Sequence, residues 1–394
     1  MKILVLGSGL MGPAAAFNAM ADPQVSQVTL CDTSPQQLES ACKKLSVMQG
    51  AEKLVTTVLD LRDQAAAVRE MSDCDAVVAA LPKAAIGLGI HAVVEAKVPL
   101  VDLSWPPDTE VAELKQKVEA AGALVIPGCC VEPGLTEIMA RYLAEKLDRV
   151  DELHIKCGGI PEKPAPPLGY KIVFGGRHLP LREWDARVVE DGKLKPVPRY
   201  SGIEPVTFPS VGHCEAWHEG FMPWLLDLDA LKALRSGTQK TVRWPGYADK
   251  VTVLKEMGLL SEEPVEVDGA LVAPKQLLDA LLYPRVRLAE DERDITLFRV
   301  EAVGEKDGRP RYYKIEMVDR YDDARGFTSM ARTTAFTGAI VARMIARGDL
   351  KATGWRTPEQ VVTGALFDRL VRELAEVNVR FEMTTEKTEA LIGR

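Results

Sequence analysis

Gly7, Gly9 and Gly12, set directly behind the apolar run at residues 3–6, constrain this chain more than any other feature. A glycine-rich turn that follows a strand and opens a helix is a place to hold phosphate. Gly7 permits the tight turn, Gly9 leaves room for a pyrophosphate, and Gly12 lets the helix pack close to the strand. Ser8, Leu10 and Met11 complete the loop, and the free N–H groups of the following helix face the phosphates. The second apolar run, 28–31, ends on Asp32, twenty residues past Gly12. An acid there accepts from a ribose 2′-hydroxyl and repels a 2′-phosphate. No basic residue follows until Lys43, so NAD is expected rather than NADP.

Forty-nine basic against 57 acidic residues give a formal net charge of −8, which argues against nucleic acid or an anionic membrane as partner. No apolar run approaches a membrane span, and because the sequence opens on a strand and glycine loop, no cleaved signal peptide is expected there. The seven cysteines form no C-x-x-C pair, and the five histidines form no H-E-x-x-H. Reduced thiols, a cytoplasmic location and no metal are expected.

Strand candidates at 3–6, 28–31, 54–59, 76–80, 100–102 and 124–126 alternate with helix-like segments at 13–20, 35–45, 64–71 and 109–120. That alternation predicts an α/β fold with a doubly wound parallel Rossmann sheet. After Glu132-Pro133-Gly134 the character changes. A helix over 135–147 leads into strand-like stretches at 150–157, 170–174, 297–303 and 312–318, a mainly antiparallel sheet in a second α+β domain. A long amphipathic helix is expected over 329–347 and a mostly helical close over 358–376. The dinucleotide domain is thus read as 1–130 plus about 328–394, and the second as 131–327.

Asp60, closing the third strand, meets the adenine or caps a helix before Arg62. Ala80, Leu81 and Pro82 close the fourth strand on the rim where ligands gather; Lys83 beside them is solvated or touches the ligand. Asp102 and Ser104, after the fifth strand, form a helix cap or a substrate contact.

Several motifs resemble the saccharopine dehydrogenase-like enzymes. They are Val131-Glu132-Pro133-Gly134, Cys157-Gly158-Gly159-Ile160-Pro161, Pro166-Pro167-Leu168-Gly169-Tyr170, Arg243-Trp244-Pro245-Gly246-Tyr247 and Met330-Ala331-Arg332-Thr333-Thr334-Ala335-Phe336, with Gly354 to Pro358 and Glu359. They follow in the family's order over nearly the whole chain. Gly202-Ile203-Glu204-Pro205-Val206 and Glu215-Ala216-Trp217-His218 resemble the NAD-dependent lysine 6-dehydrogenase group. The resemblance implies oxidation of an amino-acid primary amine, in lysine the ε-amine, to an imine. The imine hydrolyses to the 6-semialdehyde, which cyclises. It also implies an inserted sheet domain for substrate binding and homodimer contact, with the C-terminal helices returning to the nucleotide domain. One departure puts lysine in doubt. Where that group carries Thr-Ser-Gly-Gly, this chain reads Glu219-Gly220-Phe221-Met222-Pro223-Trp224.

An amino-acid carboxylate calls for an arginine, and Arg243 is the candidate; an ordinary ion pair is its bland alternative. A neutral amine needs a proton acceptor. Glu215 or His218 fills that role, three apart and on one face if the stretch is helical. Tyr170 lines the pocket with its hydroxyl or simply packs, and Cys157 is a pocket wall rather than a nucleophile. Two rivals stand beside this reading. A saccharopine-forming reductase would need a second arginine cluster beside Glu215, and none is evident in the sequence. A non-turning-over NAD sensor would favour a helix-turn-helix or basic patch, and neither is seen.

Overall fold

The computed structural model describes residues 1–387, and the chain divides into two compact units. The first contains residues up to Ile138 and most of the stretch from Asp322 to Val379. Six of its strands are β1 (Lys2–Leu6), β2 (Gln27–Asp32), β3 (Leu54–Val58), β4 (Ala76–Ala79), β5 (Leu100–Asp102) and β6 (Leu124–Ile126). They form a parallel sheet in the order 3-2-1-4-5-6, extended beyond β6 by Gly354–Trp355. Apart from Lys2 and Asp102 at their ends, β1, β4 and β5 are apolar, as suits a sheet covered by helices on both faces. Ala76–Ala79 is fully buried. β3 sits at the edge, and its Thr56 is exposed.

Helix α1 (Gly12–Met20) follows β1 and is buried at every position; its small residues Ala14, Ala15 and Ala16 allow that. Two elements were not read from sequence. The helix Lys83–Ala96 starts at the rim residue Lys83, and Gly354–Trp355 is too short to show a period. The run expected as one amphipathic helix over 329–347 differs in kind. It comprises Ser329–Ala331, a π-helical turn Arg332–Phe336, and Thr337–Ala346. Residues 329–344 are buried on every side, so there is no polar face. Arg343 is buried there, bonded to Asp22 (2.7 Å), Asn18 (2.9 Å) and Glu373 (2.7 Å). A buried guanidinium needs such partners, and these tie the C-terminal helices to α1.

The second unit is built on a nine-stranded sheet. Its main path runs Glu204–Phe208, Gly212–His218, Ser236–Arg243, Arg149–Pro161, Asp294–Lys306, Arg309–Arg320 and Glu382–Lys387. Ala186–Glu190 and Lys193–Val197 branch from Ser236–Arg243. Every pairing is antiparallel except that of Ser236–Arg243 with Arg149–Pro161. Two expectations need correction. The last strand, Glu382–Lys387, joins this sheet rather than the nucleotide unit, because Arg309–Arg320 offers it an open edge. Residues 170–174 form no strand; a single bridge, Ile172 to Arg287, is all they make. Prolines and glycines on both sides leave no room for a ladder, and Tyr170 and Ile172 serve instead as buried anchors of an aromatic cluster.

Candidate active site

In the first unit the glycine turn is gripped from neighbouring strands. Gly7 has φ +93°, and a Cβ there would stand 2.5 Å from the Ala80 carbonyl oxygen. Its N–H donates to the Cys31 carbonyl at 2.7 Å. Any side chain on Gly12 would collide with the Gly7 carbonyl, whereas an added Cβ on Gly9 meets nothing within 4 Å. Open space therefore lies in front of Gly9, flanked by Leu10, which is half exposed, and by Met11 at the start of α1.

Asp32 holds this loop. Its Oδ2 accepts the Ser8 N–H (2.7 Å) and the Ser8 hydroxyl (2.9 Å), and its Oδ1 accepts the Ser34 N–H (2.9 Å). A carboxylate offers about four lone-pair sites, so an acceptor position remains for a sugar hydroxyl. The open floor at Gly9, the helix start behind it and the acid beside it fit an adenine dinucleotide.

Asp60 points elsewhere. It accepts the Arg62 backbone N–H (2.9 Å) and both arms of the Arg62 guanidinium (3.0 and 2.6 Å). That arginine draws its carboxyl down to about 2. The cap of the next helix is Asp63, accepting from Ala66, so Asp60 is neither the cap nor turned toward a base. Among the rim residues, Ala80 touches the turn, Leu81 packs on the core, and Pro82 precedes Lys83–Ala96.

Asp102 closes β5 and is wholly buried. Its Oδ1 accepts the Ser104 N–H at 2.8 Å, and its Oδ2 has no partner. Burial pushes the group up to about 8, against the pull of the Ser104 N–H, so at neutrality it carries a proton and can donate. The helix-cap alternative fails, since the next helix begins at Asp108 behind Pro107.

In the second unit the pairing of Glu215 with His218 does not survive. Gly212–His218 is a strand, so residues three apart point to opposite faces. His218 shares a face with Lys240 and lies against Gly202. Burial, aided by Lys240, lowers its pKa to about 4. It is neutral at pH 7, and with a pKa that low it is a weak proton acceptor. Glu215 is on the other face, but both its oxygens are engaged by the N–H groups of Gly246 and Ala248 (2.7 Å each). It caps the helix Tyr247–Glu256.

That same face holds what remains of the expected constellation. Arg243 stands opposite Glu215 in the ladder, and Thr241 opposite both Trp217 and Cys157. Arg243 is 5% exposed. Its guanidinium lies over the Tyr170 ring (5.0 Å) and near that of Tyr247 (5.7 Å). Its one hydrogen bond goes to the Val242 carbonyl (2.8 Å), its Nε is unpartnered, and no carboxylate forms an ion pair with it among the described residues. The Tyr170 hydroxyl is likewise buried and unpartnered, and burial raises its pKa. Cys157, 2% exposed, is on this face opposite Thr241.

The sequence reading missed Tyr247, Glu219 and two arginines. Tyr247 stacks on Trp217 at 6.0 Å; its place in Arg243-Trp244-Pro245-Gly246-Tyr247 was the available signal. Arg182 and Arg199 both donate to Glu219, whose other oxygen accepts from Thr241 (3.1 Å). The arginine cluster absent from the sequence reading thus exists, assembled from distant loops. Phe221 of the 219–224 loop is buried and packs over Gly237, which shares the strand face of Thr241 and Arg243.

Among the described residues no group of three His, Cys, Asp or Glu is placed to hold a metal, and no helix is long and apolar enough to cross a membrane. Residues 3–126 match the family model of the saccharopine dehydrogenase NADP binding domain, and residues 130–379 that of the saccharopine dehydrogenase C-terminal domain. The chain is 25% identical to a carboxynorspermidine synthase of Vibrio cholerae, over 92% of each chain. It is 23% identical to a carboxyaminopropylagmatine dehydrogenase of Synechocystis, over 90% of this chain and 91% of that one. Its fold is that of apo saccharopine dehydrogenase (L-Glu forming) from Saccharomyces cerevisiae, with a TM-score of 0.79, 19% identity and coverage of 98% and 99%.

Proposed function

This chain belongs to the saccharopine dehydrogenase family of nicotinamide-dependent oxidoreductases, and on that premise we propose that it moves hydride at a carbon–nitrogen bond of an amine bearing an amino-acid carboxylate. The observation that carries the reading is Arg243, a buried guanidinium that makes no ion pair with an acid among the described residues. Such a group calls for an anion, and its planar fork suits a carboxylate. Tyr170, which keeps its proton, donates to the same carboxylate. In oxidation the hydride leaves the carbon, the nitrogen lone pair closes the C=N bond, and water releases the amine from the carbonyl carbon. A bound nicotinamide dinucleotide supplies the hydride acceptor. Gly7, Gly9 and Gly12 seat its phosphates and Asp32 its ribose, which supports NAD over NADP.

For the amine we favour a secondary amine of the carboxylated-polyamine kind, because two relatives spanning over 90% of this chain or nearly so are named for such compounds. Oxidation of the L-lysine ε-amine to the 6-semialdehyde is the second reading, favoured by the motifs at 202–206 and 215–218.

The test is NADH formation from a panel of amino acids, diamines and carboxylated polyamines, with NADH consumption by an amino-acid semialdehyde plus amine as the reverse. Turnover with L-lysine alone selects the second reading. Tight NAD binding without turnover of any amine removes both in favour of an NAD-binding sensor.

A further inference from the structure

We infer that Glu219 sets the substrate class of this site by occupying an arginine pair that would otherwise hold a second substrate carboxylate. The inference rests on the reading of Arg243 as the carboxylate anchor.

Three guanidiniums and one carboxylate share this part of the second unit. Arg199 is fixed by its Nε, which donates to the Trp184 carbonyl at 2.9 Å, and it is nearly as buried as Arg243. Arg182 is fixed through its backbone, whose N–H donates to the Tyr200 hydroxyl at 2.9 Å. Both guanidiniums lie beside the Trp184 ring, at 5.7 and 5.8 Å. The two guanidiniums close on one oxygen of Glu219, while Thr241 holds the other. Thr241 lies two residues from Arg243 on one strand, hence on the same face. Burial disfavours the Glu219 anion, yet Arg182, Arg199 and Arg243 together hold its pKa below the ordinary value.

Arg243 is the one guanidinium of the three that makes no hydrogen bond to Glu219. A second carboxylate entering here would meet arginines already engaged and the negative charge of Glu219 itself. The site therefore takes a substrate with one carboxylate, joined to an amine part that is neutral or cationic. A glutamate-like amine with two carboxylates is rejected.

Calorimetric titration of the full chain with propionate and with the dicarboxylates from succinate to adipate tests this. The wild type should bind propionate at least about tenfold more tightly than any of the dicarboxylates, and Arg243→Gln should weaken propionate by at least about tenfold. Glu219→Gln, nearly isosteric, should favour one dicarboxylate over propionate by at least about tenfold. Adding Arg182→Gln should abolish that gain. If Arg243→Gln leaves propionate binding unchanged, the anchor reading falls. If it weakens propionate but Glu219→Gln shows no dicarboxylate preference, the present inference falls and the anchor stands. A wild type that binds a dicarboxylate as tightly as propionate overturns it without any variant.

Discussion

Glu215 and Arg243 stand directly opposite each other on neighbouring strands, yet they do not pair. Glu215 turns both oxygens to the start of the helix Tyr247–Glu256, and Arg243 lies over the ring of Tyr170. The nearest acid in the ladder is committed to a helix terminus, so the buried cation beside it makes no ion pair among the described residues. A charge kept buried without a partner opposes stability, and such sites are where function is sought.

Arg243→Gln should raise KM for a carboxylate-bearing amine by about 10- to 100-fold, the worth of one or two charge-assisted hydrogen bonds at about 1.5–3 kcal/mol. The same amine without its carboxylate should be turned over as before. Steady-state kinetics on the matched pair is the check, and equal losses for both would remove Arg243 from this role.

Glu215→Ala should lower stability by about 1–2 kcal/mol through loss of the cap, with Glu215→Gln intermediate. The pH dependence of kcat should not change in Glu215→Gln. Denaturant melts and a pH–rate profile separate the outcomes. An inactive but fully stable Glu215→Gln would restore the acid as the proton acceptor.

Asp102 makes stability fall as pH rises. Its folded pKa, about 8, lies above the ordinary 3.8. Between those values the unfolded chain has lost a proton that the folded one keeps, so stability declines by at most about 1.4 kcal/mol per pH unit. Above about pH 8 the decline stops. Asp102→Asn should flatten the stability curve in this window, and an unchanged slope would contradict a protonated Asp102.

His218 acts in the opposite direction. Its folded pKa, about 4, is below the ordinary 6.5. Stability is therefore lost as pH falls between those values, because only the unfolded chain gains the proton. His218→Asn should remove that loss and leave the pH–rate profile near neutrality untouched. A displaced kinetic limb in His218→Asn would instead mark the imidazole as a working base.

Asp32→Ser should lower the preference for NAD over NADP by at least about tenfold, as the ribose acceptor and the repulsion of a 2′-phosphate go together. Because Asp32 also binds Ser8, the KM for NAD should rise as well. A wild type that prefers NADP would refute the assignment.

The nucleotide unit was legible because its signals are local. Gly7, Gly9, Gly12 and Asp32 are set by chain geometry at short range, and buried parallel strands announce themselves as apolar runs. The second unit was less so. Glu215 and His218 would share a face only in a helix, and the strand over 212–218 separates them. Residues 170–174 look like a strand by composition, but what they do is bury Tyr170 and Ile172.

What the sequence settled on its own is the glycine turn with its acid, the alternation that follows it and the family's ordered landmarks. Each depends on neighbours a few residues apart or on a fixed order along the chain. Tertiary structure alone decided which charges are paired. Arg182, Arg199 and Glu219 come together from separate loops, and Glu215 is taken by a helix terminus thirty-one residues away. Whether a buried charge is free depends on which distant groups reach it, and no spacing in the chain encodes that.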